Sequence, residues 1–163
     1  MRKISEVFIN GICLREILEK HEEWTVDSRE GKRLELKNTD LSYIDLRGAN
    51  LRGANLSDTD LSSANLWDAN LIGADLSNSD LRNTDLSDAD LSNSDLSNSD
   101  LRGAVLRGAN LNGTNLRFTD LRFADLIGAD LRDANLSYAD LSYANLRFAN
   151  LRSVNLEGVD LEV

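Results

Sequence analysis

The sequence predicts an all-β solenoid with an N-terminal α-helical cap. Three observations carry the prediction. From Leu36 to Leu161 every fifth residue is leucine, twenty-six positions without an exception. The residue two before each leucine is small or aliphatic, and the residue directly before it is Asp or Asn everywhere except at Glu35 and Val105. Proline is absent from all 163 residues. A fixed period sustained over this length marks a chain that stacks on itself.

A period of five excludes the ordinary elements. Five residues advance an α-helix by about 500°, so successive leucines would sit about 140° apart and smear around it. A flat strand has a period of two, so an odd spacing would alternate the leucines between its faces. Neither arrangement makes one buried side. The triplet A-(D/N)-L does alternate apolar, polar, apolar, as a short strand does. The two residues after each leucine are often Gly, Asn, Asp or Ser, which suit turns. The chain therefore runs straight for about three residues and bends. Bends of one sense would aim every leucine at a common axis. Backbone bonding between successive coils accounts for the missing proline, which would remove a ladder donor.

The unit A(D/N)LXX over residues 34 to 163 resembles the pentapeptide-repeat family. The resemblance implies a right-handed quadrilateral β-helix of four pentapeptides per coil, with leucine and the small residue inward. This chain would then make about 6.5 coils, a rod about 31 Å long at ~4.8 Å between paired strands. Residues twenty apart would stack in columns, as in Leu36, Leu56, Leu76 and Leu96. The inward hydroxyls at the small position, Thr39, Thr59, Ser79, Thr84, Ser94, Ser99, Thr114 and Thr119, then need partners inside. Backbone carbonyls are the expected acceptors.

Residues 1–33 break the repeat and are read as a separate cap, with 34–163 as the β-helix. The stretch CLREILEKHEEW places Leu14, Ile17, Leu18 and Trp24 near one helical face. Solenoid ends expose unpaired strand edges that need covers. An amphipathic helix over about residues 12–25 is expected to cover the first coil, with Leu14, Leu18 and Trp24 as its anchors. The opening run MRKISEVFINGICL is interrupted by Glu6 and Asn10 and is not read as a signal peptide. The tail LEGVDLEV has no comparable helix, so its edge is expected to be solvated or paired with a second copy as a homodimer.

Little in the sequence suggests catalysis. His21 and Cys13 are the single representatives of their types. They read as a surface histidine and a buried cysteine, not as a nucleophile and base. No P-loop, GxGxxG or Cys/His zinc cluster occurs. The expectation is a non-enzymatic protein with no catalytic residue, no cofactor and no metal. One cysteine fits a reducing, cytoplasmic compartment. A net charge of −10 argues against direct nucleic-acid binding and against adhesion to anionic membranes.

The outward positions are patterned. One column reads Asp40, Asp60, Asp80, Asp100, Asp120, Asp140, Asp160. Residues 55–100 hold ten acids, among them Asp75, Asp80, Asp85, Asp88, Asp90, Asp95 and Asp100, against Arg82 alone. Residues 101–156 hold seven arginines against five aspartates. The acidic coils are either a solvated surface or a docking patch for a basic partner. Stacking also sets Phe118 beside Tyr138 and Phe123 beside Tyr143, with Phe148 on a following side and Arg117, Arg122 and Arg147 around them. Such residues either shield the ladder or bind a protein partner. Trp67 and Ile72 make a smaller outward pair.

The leading expectation is a protein–protein interaction scaffold with an unidentified partner. The family adds a second. Some of its members imitate DNA and bind type II topoisomerases. Net −9 over residues 55–100 spreads about one charge per 1.2 Å of rod, against about one per 1.7 Å in duplex DNA. The negative region is short and arginines follow it. The chain also lacks the projecting loops, the C-terminal dimerisation helix and the central phenylalanines of that subgroup. Many members of the family, which is numerous in cyanobacteria, have no assigned biochemical role.

Overall fold

The computed structural model of the protein describes residues 1–162. Val163, the last residue of the expected repeat region, lies outside them.

Each pentapeptide is one straight step and one turn. After every leucine the chain reverses, and the N–H of the next small residue donates to the leucine carbonyl, as in Ala74 to Leu71 at 3.0 Å. The second residue of each turn has positive φ at every fifth position from Asn38 to Gly158. Parallel bridges join residues twenty apart, from Glu35↔Asn55 to Asp140↔Asp160. Four pentapeptides therefore separate stacked residues. Each side contributes a single bridging residue to the ladder, because the turn takes up the residues on either side of it.

All the backbone donors of a repeat are accounted for. In residues 74–78, Asp75 N donates to Ala54 O in the coil before at 2.9 Å. Leu76 N and Asn78 N donate to Asp95 O and Ser97 O in the coil after, at 2.7 and 3.0 Å. Ala74 N closes the turn. The remaining donor, Ser77 N, finds the Asp75 carboxylate at 3.0 Å. Every position from Asp40 to Asn155 that carries Asp or Asn can repeat this bond, since both side chains offer an oxygen acceptor two residues back. That is why the residue before leucine is Asp or Asn.

The leucines from Leu51 to Leu136 are buried, with the small residues between them. The inward hydroxyls bond to backbone carbonyls as expected. Thr59, Ser79, Thr84 and Thr119 reach the coil before, at 2.7–2.9 Å. The Leu91 carbonyl accepts from both Ser94 at 2.6 Å and Thr114 at 2.8 Å. Thr39, at the half-buried start, makes a longer bond of 3.4 Å to Lys37 O. In the last coil Leu151, Leu156 and Leu161 are exposed.

The N-terminal segment begins with a short 3-10 turn, Ile4–Glu6, and a hairpin of β1 (Phe8–Ile9) and β2 (Ile12–Cys13). Asn10 and Gly11 turn it, both at positive φ. Helix α1 follows at Leu14–Val26. Leu14 is buried, while Leu18 and Trp24 are half-buried. Arg2 adds a parallel bridge to Ile44. Trp24 lies over Gly53, where a Cβ would meet its ring at 3.5 Å.

The histidine expected at the surface is instead fully buried, and the cysteine expected inside is half-buried. His21 is enclosed because α1 turns that face to the first coil. The Leu34 N–H donates to His21 Nδ1 at 3.0 Å, and the ring stacks on Trp24 at 5.5 Å. The neutral ring is required for this bond. Burial lowers its pKa, the Arg52 carbonyl opposes that, and the Arg33 charge adds to it.

Candidate interaction face

Among the described residues no cluster of His, Cys, Asp or Glu could hold a metal ion, and no helix is long and apolar enough to cross a membrane. The distinctive chemistry lies on one side of the rod.

Four aromatics border that side. Phe118 stacks on Tyr138 at 5.2 Å and 10°, and Phe123 stacks on Tyr143 at 5.1 Å and 7°. Phe148 stands alone on the following corner and is 82% exposed. Arg117 lies over Phe118 at 5.2 Å and Arg147 over Phe148 at 5.6 Å. The Tyr138 and Tyr143 hydroxyls donate to Glu157 at 2.9 Å and Glu162 at 3.3 Å.

All five aromatics occupy the positive-φ corner of the turn, with φ from 57° to 63°. Most corners carry Gly, Asn or Asp, which tolerate that region, whereas a bulky side chain there is strained. The cost is about 1–2 kcal/mol per residue, so about 4–8 kcal/mol for the four stacked rings. Two stacks return about 1–3 kcal/mol. Stacking alone therefore does not explain why aromatics stand here. Tyr43, at the same kind of corner with φ 58°, is a sixth case that the sequence reading did not single out.

Between the two stacks runs the all-Asp column, which is bonded in ways the sequence reading missed. Arg82, Arg102 and Arg122 each pair with the aspartate two residues back, and each reaches the aspartate of the next coil. Arg102 lies 2.5 Å from Asp100 and 3.5 Å from Asp120, and Arg122 lies 2.6 Å from Asp120 and 3.5 Å from Asp140. Arg82 pairs likewise with Asp80 and reaches Asp100 at 3.7 Å. The Arg82 hydrogen bond holds the Asp80 carboxyl below its ordinary range, against the opposing effect of burial. The arginines are held more firmly protonated in turn. The signal was in the sequence: arginine recurs at twenty-residue intervals, two places after an aspartate.

The acidic residues singled out from the sequence do not share one side. Asp80 and Asp100 belong to the ion-paired column. Asp75, Asp85, Asp90 and Asp95 sit on the other sides, each accepting the N–H of the serine two residues on, at 2.9–3.1 Å. Asp88 is an exposed corner residue that accepts from Trp67 Nε1 at 3.3 Å.

Comparison with known proteins places this architecture. The model for pentapeptide repeats matches in eight copies, over residues 34–68, 69–108, 99–137 and 129–162. The chain belongs to the pentapeptide repeat family. Among solved structures, this pentapeptide repeat chain is similar to HetL of the cyanobacterium Nostoc sp. strain PCC 7120, a protein involved in heterocyst differentiation regulation. The identity is 31%, over 80% of this chain and 77% of HetL, with a TM-score of 0.40. A thylakoid-lumen protein of Arabidopsis thaliana shows 24% identity over 70% of this chain and 69% of its own, with a TM-score of 0.41. A trypsin-treated form of QnrB1, a plasmid-mediated fluoroquinolone resistance protein, shows 19% identity over 80% of this chain and 90% of its own, with a TM-score of 0.42. No curated protein sequence matches the chain.

Proposed function

We propose that the protein is a non-enzymatic binding rod that offers the aromatic and charged face to a protein partner. In this reading residues 34–163 form a right-handed quadrilateral β-helix of about 6.5 coils, and residues 1–33 cap its first coil through α1. The observation that carries the proposal is the placement of Phe118, Phe123, Tyr138 and Tyr143. They are 47–64% exposed at corners where their backbone is strained. Strain that stacking repays only in part is a signature of functional sites, and Phe, Tyr and Arg are the types enriched at interfaces. The Asp75–Asp100 segment would contribute charge around the rod instead of a single docking patch.

The test is affinity capture from the native cell with wild-type bait and with Phe123→Asn plus Tyr143→Asn. Asparagine already serves this corner at Asn78, Asn83, Asn93 and Asn98. Loss of a partner with retained fold supports the reading, and undiminished capture refutes it.

The second reading, a DNA-mimicking topoisomerase binder, rests on the charge density of residues 55–100. A gyrase supercoiling assay with no inhibition at micromolar protein would remove it.

A further inference from the structure

The all-Asp column is a ladder with unfilled rungs. Arginine stands two places after aspartate at 82, 102 and 122, and each guanidinium lies between its own aspartate and the next. Serine takes that place at 42, 62 and 142. At the first of these an arginine from elsewhere pairs with the aspartate. Arg2, from the N-terminal segment, donates to Asp40 Oδ1 at 3.3 Å and to the carbonyls of Asp40 and Ser42 at 3.4 and 3.3 Å. Arg2 approaches Asp40 from the N-terminal side and does not reach Asp60, so it shows that an aspartate of this column, in a repeat that carries serine, accepts a guanidinium from outside the column.

The Ser142 rung likewise carries no arginine of its own and is better furnished, with Ser142 itself buried at its base. Asp140 Oδ1 accepts from Ser142 N and Oγ, at 2.9 and 2.6 Å. Among the described residues its Oδ2 meets only the far reach of Arg122, at 3.5 Å. Among the described residues no guanidinium lies within ion-pair distance of Asp160. A hollow here is walled by Phe123, Asp140, Ser142, Tyr143, Asp160 and Glu162. Arg122 also borders it, with its charge already engaged by Asp120 and Asp140. The Ser62 rung, between Asp60 and Asp80, has no aromatic wall, since its corners are Asp58, Ser63, Asn78 and Asn83.

We propose that the Ser142 rung receives an arginine side chain of the partner, lying between Asp140 and Asp160 against the Phe123–Tyr143 stack. This rests on the interaction-face reading and adds the chemistry of the occupant. Three features favour arginine over lysine. The ladder is built for a planar fork, and its three internal rungs all use arginine. A guanidinium also bonds carboxylates in pairs and stacks on aromatic faces. The extra carboxylates of Asp160 and Glu162 give the hollow the complementary sign.

The test uses N-acetyl-arginine amide as probe, followed by amide NMR shifts, with the uncharged citrulline analogue as control. The expected result is saturable shifts at Phe123, Asp140, Ser142 and Tyr143 with arginine and none with citrulline. Ser142→Arg supplies the rung from within and should weaken probe binding at least ten-fold. Ser62→Arg should leave it within two-fold. Both variants copy a residue that this column already carries at 82, 102 and 122, so the fold is retained. Equal shifts with citrulline, or binding unaffected by Ser142→Arg, would overturn the proposal. Should a captured partner be lost with Phe123→Asn plus Tyr143→Asn yet held by Ser142→Arg, the interaction face stands and the arginine site falls.

Discussion

Replacing Gly128 with alanine isolates the strain on which the reading of the aromatics depends. Gly128 has φ +68°, and a Cβ built there has no heavy atom within 4 Å. No clash, lost contact or lost hydrogen bond enters, so the change is purely conformational. An L-residue in this region costs about 1–2 kcal/mol. Alanine also restricts the unfolded chain, which returns about 0.4–1 kcal/mol. The net expectation is a loss near 1 kcal/mol, or about 2–4 °C in the unfolding midpoint at this chain length. Gly128→Asn should lose less, because asparagine tolerates the left-handed region. Gly73→Ala, at φ +64° and equally free of contacts, should behave like Gly128→Ala. Thermal unfolding followed by circular dichroism measures all three. An unchanged or raised midpoint for both alanine variants would show that these corners carry no penalty. The case that Phe118, Phe123, Tyr138 and Tyr143 are held against their own backbone preference would then fail.

Other expectations follow from burial and titration. Leu96→Ala, at a fully buried site, should cost about 2–5 kcal/mol, and Leu156→Ala, at a site 45% exposed, less than half as much by urea unfolding. His21 is held neutral by burial, with a folded pKa below its usual value near 6.5. The unfolded chain therefore takes up the proton first, and stability should be level above pH 6.5 and fall below it toward the folded pKa. His21→Gln should flatten the urea midpoint between pH 7 and 5, and an unaltered slope would refute the assignment. Pairing of the LEGVDLEV edge with a second copy, the alternative to a solvated edge, predicts a concentration-dependent dimer, which sedimentation showing only monomer would remove.

The repeat was legible because one residue type at one spacing carries the core. Leucine at every fifth place leaves no other way to bury itself, and the small residues and hydroxyls follow from the space beside it. The turn chemistry was legible only in part. Gly, Asn and Asp suggested a bend, but the positive φ at its second residue emerges from the inter-coil bonds on both neighbours. The Asn10–Gly11 pair between Phe8–Ile9 and Ile12–Cys13 is a strong hairpin signal that a reading by apolar run passed over. His21 was misplaced because helical periodicity counted only apolar residues on the buried face. The Arg82–Arg102–Arg122 ladder needed the columns to be read together, since no single repeat shows an arginine reaching two aspartates.

A repeat protein supplies its own controls, and that decides which surface features are informative. The acidic residues before leucine conform to the repeat. From Asp40 to Asp140 each accepts a local N–H, and asparagine does the same at equivalent places, so their carboxylates need no partner to explain them. The aromatics depart from the repeat at an energetic cost, where glycine or asparagine stands in other coils. Serine departs from the arginine pattern at 142, beside two of those aromatics. Departures of both kinds coincide around Phe123, Asp140, Ser142 and Tyr143. They also coincide at Ser42 and Tyr43, where Arg2 already pairs with Asp40; at the Ser62 rung only the second departure occurs, and at the Phe148 corner only the first. Binding selected for this face should therefore depend on both kinds of residue together. Restoring either the asparagine corner or the arginine rung should be enough to abolish it while leaving the rod folded.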